Sequence, residues 1–458
     1  MSVAKSSRRR LLSIGGRGLF GLSLTPFLGG AARSEFRTTA PRAKSVIFLY
    51  QFGGPSHLET FDPKPDAPRE IRGHWDSIAT NVPGLRVGDK LPRMARVMDK
   101  VALVRSLHHG MKNHNPAAYY MLTGREPPVD DIRLPPGDDL HPAYGAVADR
   151  FAPGKTVGVP GFVGFPHVIR DGSITPGQRA HFLGTRFDPL VMTADPNAAT
   201  YQPPELMLPD DVSPARLEDR RRLLALIDAQ SRMLDESAAA KGADAAYTRA
   251  VELINSATVR RAFDLSSESE TTRDAYGRHS FGQSCLLARR LVESGVKFVN
   301  VYFSNSIGGQ SLTAGGWDTH GFNNTHMYPI LKDRHLPITD QTLPALLTDL
   351  DDRGLLDSTL VLWVGEFGRT PKLNKQASRD HWPHCFTALL AGGGVKRGFV
   401  YGASDADGAY PASGATRPDD LAATLFTALG IDPHTVVADK LARPVPVAAG
   451  ECIDALFA

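Results

Sequence analysis

The chain has 458 residues, 22% charged and 42% hydrophobic. That is the balance of a folded globular protein large enough for one big domain with insertions or two smaller ones, and it excludes a disordered chain or a multi-span membrane protein. The formal charge of +3 belongs to the N-terminus: without residues 1–32, which hold Lys5, Arg8, Arg9, Arg10 and Arg17 and no acidic residue, it becomes −2. No basic stripe remains to argue for nucleic acid.

Residues 1–32 begin with Ser7-Arg8-Arg9-Arg10-Leu11-Leu12, continue through a short, glycine-interrupted apolar stretch over 14–28, and end in Gly30-Ala31-Ala32. This is the pattern of a twin-arginine export signal cleaved near Ala32, and the apolar stretch is too short and Gly-rich for a spanning helix. It implies the twin-arginine machinery as a partner and a periplasmic or extracellular address. It leaves no stable transmembrane segment after cleavage. Residues 33–44 read as a linker.

The domain expected over 45–458 starts with Ser45–Tyr50, an almost unbroken apolar run before Gly53-Gly54-Pro55, hence a strand buried on both faces. Leu91–Met98 has helical periodicity, and Val101–Val104 is a second buried strand. From 171 to 280 the rhythm breaks into a Pro-rich segment and long charged helical patterns, which predicts a helical insertion or cap. Phe281–Glu293 then reads as a helix, Phe298–Tyr302 as a strand, Ile338–Leu350 as a helix and Thr359–Val364 as a strand. Phe386–Leu390 reads as a strand ending in a turn at Gly392-Gly393-Gly394. Asp419–Leu429 is a last helix stopped by Gly430. Buried strands alternating with helices specify an α/β fold with a mainly parallel central sheet. Cys285, Cys385 and Cys452 are odd in number and far apart, so buried free thiols are expected, with room for one disulfide.

In such sheets ligands gather beyond the carboxyl ends of the strands. Gln51–His57, Arg105–His109 and Gly365–Thr370 all follow predicted strands. Nearby in sequence, Gly316-Trp317-Asp318-Thr319-His320-Gly321, Glu366 and Asp380-His381 collect carboxylates and imidazoles. Asp318, His320, Glu366 and His381 are the candidate ligands of one divalent ion, zinc, manganese or iron, because oxygen and imidazole donors suit such ions at about 2.0–2.2 Å.

Several motifs carry a resemblance: Gly53-Gly54-Pro55-Ser56-His57 with Phe61-Asp62-Pro63-Lys64, Tyr120-Met121-Leu122-Thr123-Gly124, Gly316–Gly321, Gly365-Glu366-Phe367-Gly368-Arg369-Thr370, and Arg379-Asp380-His381-Trp382. From Ser45 onward the chain resembles the exported bacterial family called domain of unknown function 1501, within the alkaline phosphatase and sulfatase superfamily. The resemblance implies an alkaline-phosphatase-like fold and an altered active site. Catalytic members place a metal-binding Asp after the first strand, where this chain has Gln51 and Phe52. Sulfatases place a nucleophile in Cys-x-Pro-x-Arg at a helix start, where this chain has His114 and, for the arginine, Ala118. An Asp-His pair of the superfamily becomes Glu366-Phe367, while Asp318, His320 and His381 match the Asp-His-His set of one metal, though the Asp-to-His spacing is two residues where the phosphodiesterases use four.

The resemblance therefore implies an exported, metal-dependent hydrolase of a phosphate or sulfate ester, working by direct attack of a water that the metal activates. His114 would be general acid/base or, as an alternative, a covalent nucleophile, and Arg105 or Arg369 would neutralise the anion. The partner would be a small anionic ester or a glycan. The other reading is a non-catalytic exported binding protein that keeps the fold. Both require Asp318, His320, Glu366 and His381 to converge.

Overall fold

Apolar runs such as Ser45–Tyr50 have no polar face, so they are stable only in a sheet covered on both sides. The computed structural model describes residues 40–156, 158–201, 203, 256–308, 315–322 and 325–458, all inside the compact unit Arg37–Ala458. Eight strands form the central sheet: β1 (Ser45–Tyr50), β2 (Val101–Leu107), β3 (Phe162–Phe165), β4 (Leu190–Val191), β5 (Phe298–Tyr302), β6 (Thr359–Val364), β7 (Phe386–Ala391) and β8 (Phe399–Tyr401). Their spatial order is β8-β2-β7-β6-β1-β5-β3-β4. Neighbours run parallel except where β7 pairs with β6 and β2. The fold is α/β with a mainly parallel sheet flanked by helices, as the sequence predicts.

The longer helices are α1 (His114–Thr123), α2 (Tyr144–Phe151), α3 (Ala257–Phe263), α4 (Glu270–Tyr276), α5 (Ser280–Glu293), α6 (Leu336–Asp352) and α7 (Pro418–Ala428). Side-chain alternation divides β1 between two cores. Ile47 and Leu49 pack with Leu286, Leu287, Leu343 and Leu346 of α5 and α6. Val46, Phe48 and Tyr50 pack with Met121, Val147, Leu425 and Phe426 of α1, α2 and α7. Each such fully buried aliphatic or Phe side chain contributes about 1.5–3 kcal/mol. Gly430, at φ +75°, ends the last helix as expected.

Some expectations change. Leu91–Met98 is not a helix but two 3₁₀ turns, Met94–Arg96 and Met98–Lys100. The Asp340 carboxylate accepts the N–H groups of Arg93 (2.9 Å) and Met94 (2.8 Å), and the chain must straighten into β2 at Val101, so too few residues remain to propagate a helix. α6 begins earlier than the sequence indicates, preceded by Met327–Ile330 and a π-helical turn, Leu331–His335.

Of the stretch read as an insertion, 204–255 lies outside the described residues. The part from 171 to 201 holds short strands, including the sheet edge β4, and 3₁₀ turns; α3 and α4 follow the gap. The export signal and most of the linker also lie outside the described residues, while the N–H groups of Arg42 and Ala43 both donate to Ala428 O. All three cysteines are free thiols. No described helix is long and apolar enough to cross a membrane.

Candidate metal centre

The loops after β1, β5 and β6 meet at one rim. Gly53 follows β1 with φ +106°, and an added Cβ would collide with the backbone nitrogens of Trp317 and Asp318. That close approach lets Phe52 O accept the Trp317 N–H and Ile307 O accept the Asp318 N–H, each at 2.8 Å. The Trp317 indole donates to Gln51 Oε1 at 3.1 Å and stacks on His335 at 4.6 Å, where the π-helical turn has brought that ring. Gln51, its own amide donating to Leu49 O, is a brace for the loop and not a ligand.

Asp318, only 4% exposed, is the hub. Its Oδ1 accepts from Arg369 Nη2 at 2.8 Å and lies 3.0 Å from His381 Nε2. Its Oδ2 lies 3.0 Å from His320 Nε2 and 3.6 Å from His114 Nε2. Burial alone would raise the carboxyl; Arg369, and then the three imidazoles, outweigh it and hold Asp318 well below the usual carboxylate range.

His114 is the first residue of α1, and its Nδ1 lies 2.7 Å from Glu366 Oε1, which also accepts the Gly53 N–H at 2.8 Å. Burial would lower this imidazole, but the carboxylates facing its two nitrogens lift it to about 9. His381 is lowered, chiefly by burial. Its Nδ1 lies 2.9 Å from Lys112 O, so in the neutral ring Nδ1 carries the proton and Nε2 turns a lone pair toward Asp318.

His114, Asp318 and His381 bring one ligand atom each within 4.8 Å of one another. Two features fit a cation there. His114 Nε2 is buried without a hydrogen-bond partner, and the His381 lone pair faces a carboxylate oxygen, an encounter that is repulsive unless a proton or a cation lies between. Glu366 behind His114 completes a carboxylate–histidine arrangement that would fix the tautomer of a ligating imidazole.

The sequence-predicted residues thus divide. Asp318 and His381 converge with His114, read before as acid/base, whose ring nitrogen completes a group of three atoms that could hold an ion. His320 sits beside Asp318 on the partly exposed side, outside that group. Glu366, read as a ligand, also stands outside it: Oε1 meets His114 and Gly53, and Oε2 is buried without a hydrogen-bond partner. Arg369 is buried and spent on the protein: Nε donates to Gly54 O at 2.9 Å, Nη1 to Arg379 O at 3.3 Å, and Nη2 to Gly53 O, Trp317 O and Asp318. Arg105 is engaged with Phe61 O, Arg86 O and Asp62. Neither guanidinium presents its fork to this rim.

Sequence reasoning missed Phe367, whose ring lies 4.9 Å from that of His114 and 4.5 Å from that of His381, forming an apolar wall. It also missed Asp171, raised first by burial, lowered by His114 and raised further by Asp318 and Glu366. An ordinary strand-end phenylalanine and a hairpin aspartate carry no signal of their own.

Solved structures with partial likeness include the PsFucS1 sulfatase from Pseudoalteromonas sp., at 12% identity and TM-score 0.40, covering 92% of this chain and 72% of that one. BT1596, a 2-O GAG sulfatase, matches at 11% and 0.41, covering 91% and 74%. The phosphonate monoester hydrolase SpPMH from Silicibacter pomeroyi matches at 12% and 0.38, covering 91% and 76%. Likeness at this level carries no statement about chemistry. No curated protein sequence matches the chain. The model of the family described as protein of unknown function (DUF1501) matches residues 43–457, and the chain belongs to that family.

Proposed function

We propose that this protein is an exported, metal-dependent hydrolase of a phosphate or sulfate ester with an altered, single-ion active site, delivered to the periplasm or beyond by its twin-arginine signal. The observation that carries this reading is the buried His114 Nε2, without a hydrogen bond and 3.6 Å from Asp318 Oδ2, gathered with Asp318 and His381. Asp318, His114 and His381 would hold the ion, zinc, manganese or iron, which would polarise the ester or lower the pKa of a water.

The remaining work falls to the chain. Glu366 orients His114, Lys112 O orients His381, and Arg369 balances the charge of Asp318 from behind. Phe367 excludes water from one wall. His320, on the open side and 3.0 Å from Asp318 Oδ2, would pass a proton to the leaving group. The substrate would be a small anionic ester or an esterified glycan.

A second reading, a non-catalytic binding protein, is favoured by one specific feature. The helix start that holds the nucleophile in sulfatases carries His114, which is buried and held against Glu366 and Asp318. The experiment is metal content of the mature protein beside His114→Ala and Asp318→Asn, followed by turnover of aryl phosphate and aryl sulfate esters. Near-stoichiometric metal lost in both variants, with metal-dependent turnover, supports the hydrolase; metal without turnover supports the second reading. Absence of metal from the wild type overturns the site.

A further inference from the structure

Beside the candidate centre runs an open groove of about 530 Å³, lined among others by Thr370, Asn374, Asp380, Trp382, Asp407 and Tyr410. Its place follows from strand pleating. Gly368–Arg369 pairs antiparallel with His381–Trp382, Arg369 opposite His381. Both of those residues reach inward to Asp318, so alternation turns Asp380 and Trp382 to the other side, into the groove. Asn374 ties the two sides together, its amide donating to His320 O at 2.9 Å and to Asp380 Oδ1 at 3.0 Å.

The lining is of two kinds. Tyr410 is 52% exposed, unusual for a large ring, and meets Trp382 edge-on at 5.6 Å. The indole is fixed by donation to Ala409 O at 2.6 Å. The same lining carries the carboxylates of Asp380 and Asp407, while the Asn374 amide is spent on His320 O and Asp380 Oδ1. An anionic ligand would meet two carboxylates with little compensation, because Lys372 is paired with Glu70 at 3.0 Å. A purely apolar ligand would cover carboxylate oxygens of Asp380 and Asp407 without giving them a donor, at a cost of about 1–3 kcal/mol for each such group it buries. A pyranose satisfies both kinds at once: its C–H face covers a ring, and its hydroxyls donate to carboxylates.

We infer that this groove is a saccharide subsite, holding an uncharged sugar unit next to the ester group presented to the centre. It rests on the proposed function only in naming the ester as a sugar ester; the groove itself stands on its lining. The test is tryptophan-fluorescence titration of the mature protein with neutral oligosaccharides (cellohexaose, mannohexaose, laminarihexaose and maltohexaose), repeated with Tyr410→Ala, Trp382→Ala and Asp318→Asn. The expected result is saturable binding of at least one, weakened at least tenfold in Tyr410→Ala, whose exposed ring can be removed without opening the core. Binding should survive Asp318→Asn and chelator, which separates failure of the groove from failure of the metal centre. No binding of any of the four, binding unchanged in both aromatic variants, or binding of a lysine-rich peptide in their place would overturn the inference.

Discussion

Glu366 and His114 are 252 residues apart in the chain, yet the carboxylate oxygen of one lies 2.7 Å from Nδ1 of the other. The contact leaves Nε2 of His114 facing Asp318, so Glu366 acts on the centre through the imidazole. Replacing Glu366 with Gln keeps an acceptor for Gly53 N–H but removes the charge behind His114. Metal affinity should fall about 10–100-fold, measured by chelator competition, without loss of the fold. An unchanged affinity would remove Glu366 from the centre.

Metal uptake should release protons. The two carboxylates hold His114 at about 9, so in the metal-free protein it is protonated at neutral pH, and an ion must displace that proton. Affinity is therefore expected to rise by up to about tenfold per pH unit below that value. Isothermal titration in buffers of different ionisation enthalpy at pH 7 measures the released proton directly, and pH-independent affinity between 6 and 8 would contradict it.

Arg369 and Asp318 form a buried pair, and removing one partner strands the other. Arg369→Met should lower stability by about 3–5 kcal/mol in urea unfolding, and Asp318→Asn in the same chain should recover part of the loss. Arg369→Lys should recover less, since an ammonium cannot reproduce the contacts to Gly53 O, Gly54 O and Arg379 O.

Acid should destabilise the protein through buried imidazoles outside the group formed by His114, Asp318 and His381. Burial lowers His141 to about 3, and burial with Arg334 beside it lowers His335 to about 3. A depressed folded pKa means that the neutral ring's full contribution is present above the unfolded value of about 6.5 and is lost as pH falls toward the folded value. Each should account for about 2 kcal/mol between pH 6.5 and 5. Urea unfolding across this range should show stability falling with acidity, and His141→Phe should flatten the slope by about one proton. A flat profile would mean that these rings are reached by water.

The strands were legible because each is an apolar run too short for a helix and too continuous for a surface strand. Ser45–Tyr50, Phe298–Tyr302 and Thr359–Val364 appear with the bounds read from sequence. The role of Glu366 was not legible: a carboxylate after a strand looks the same whether it meets an ion or an imidazole. Arg369 and Arg105 looked like free forks for the same reason, since sequence does not show which carbonyls surround a guanidinium.

Local chemistry was thus enough to determine the α/β class, the mainly parallel sheet, the rim where the chemistry gathers, and two of its three converging donors, Asp318 and His381. Hydrophobic periodicity and glycine turns act over a few residues, within reach of a reading along the chain. The third donor, the carboxylate behind it, the fate of both arginines and the aromatic groove were decided only by the tertiary structure. They depend on the register of β1 with β5 and β6 and on the hairpin that sets Arg369 opposite His381. Burial in that register selects which polar atoms are satisfied by the protein and which are left facing the centre.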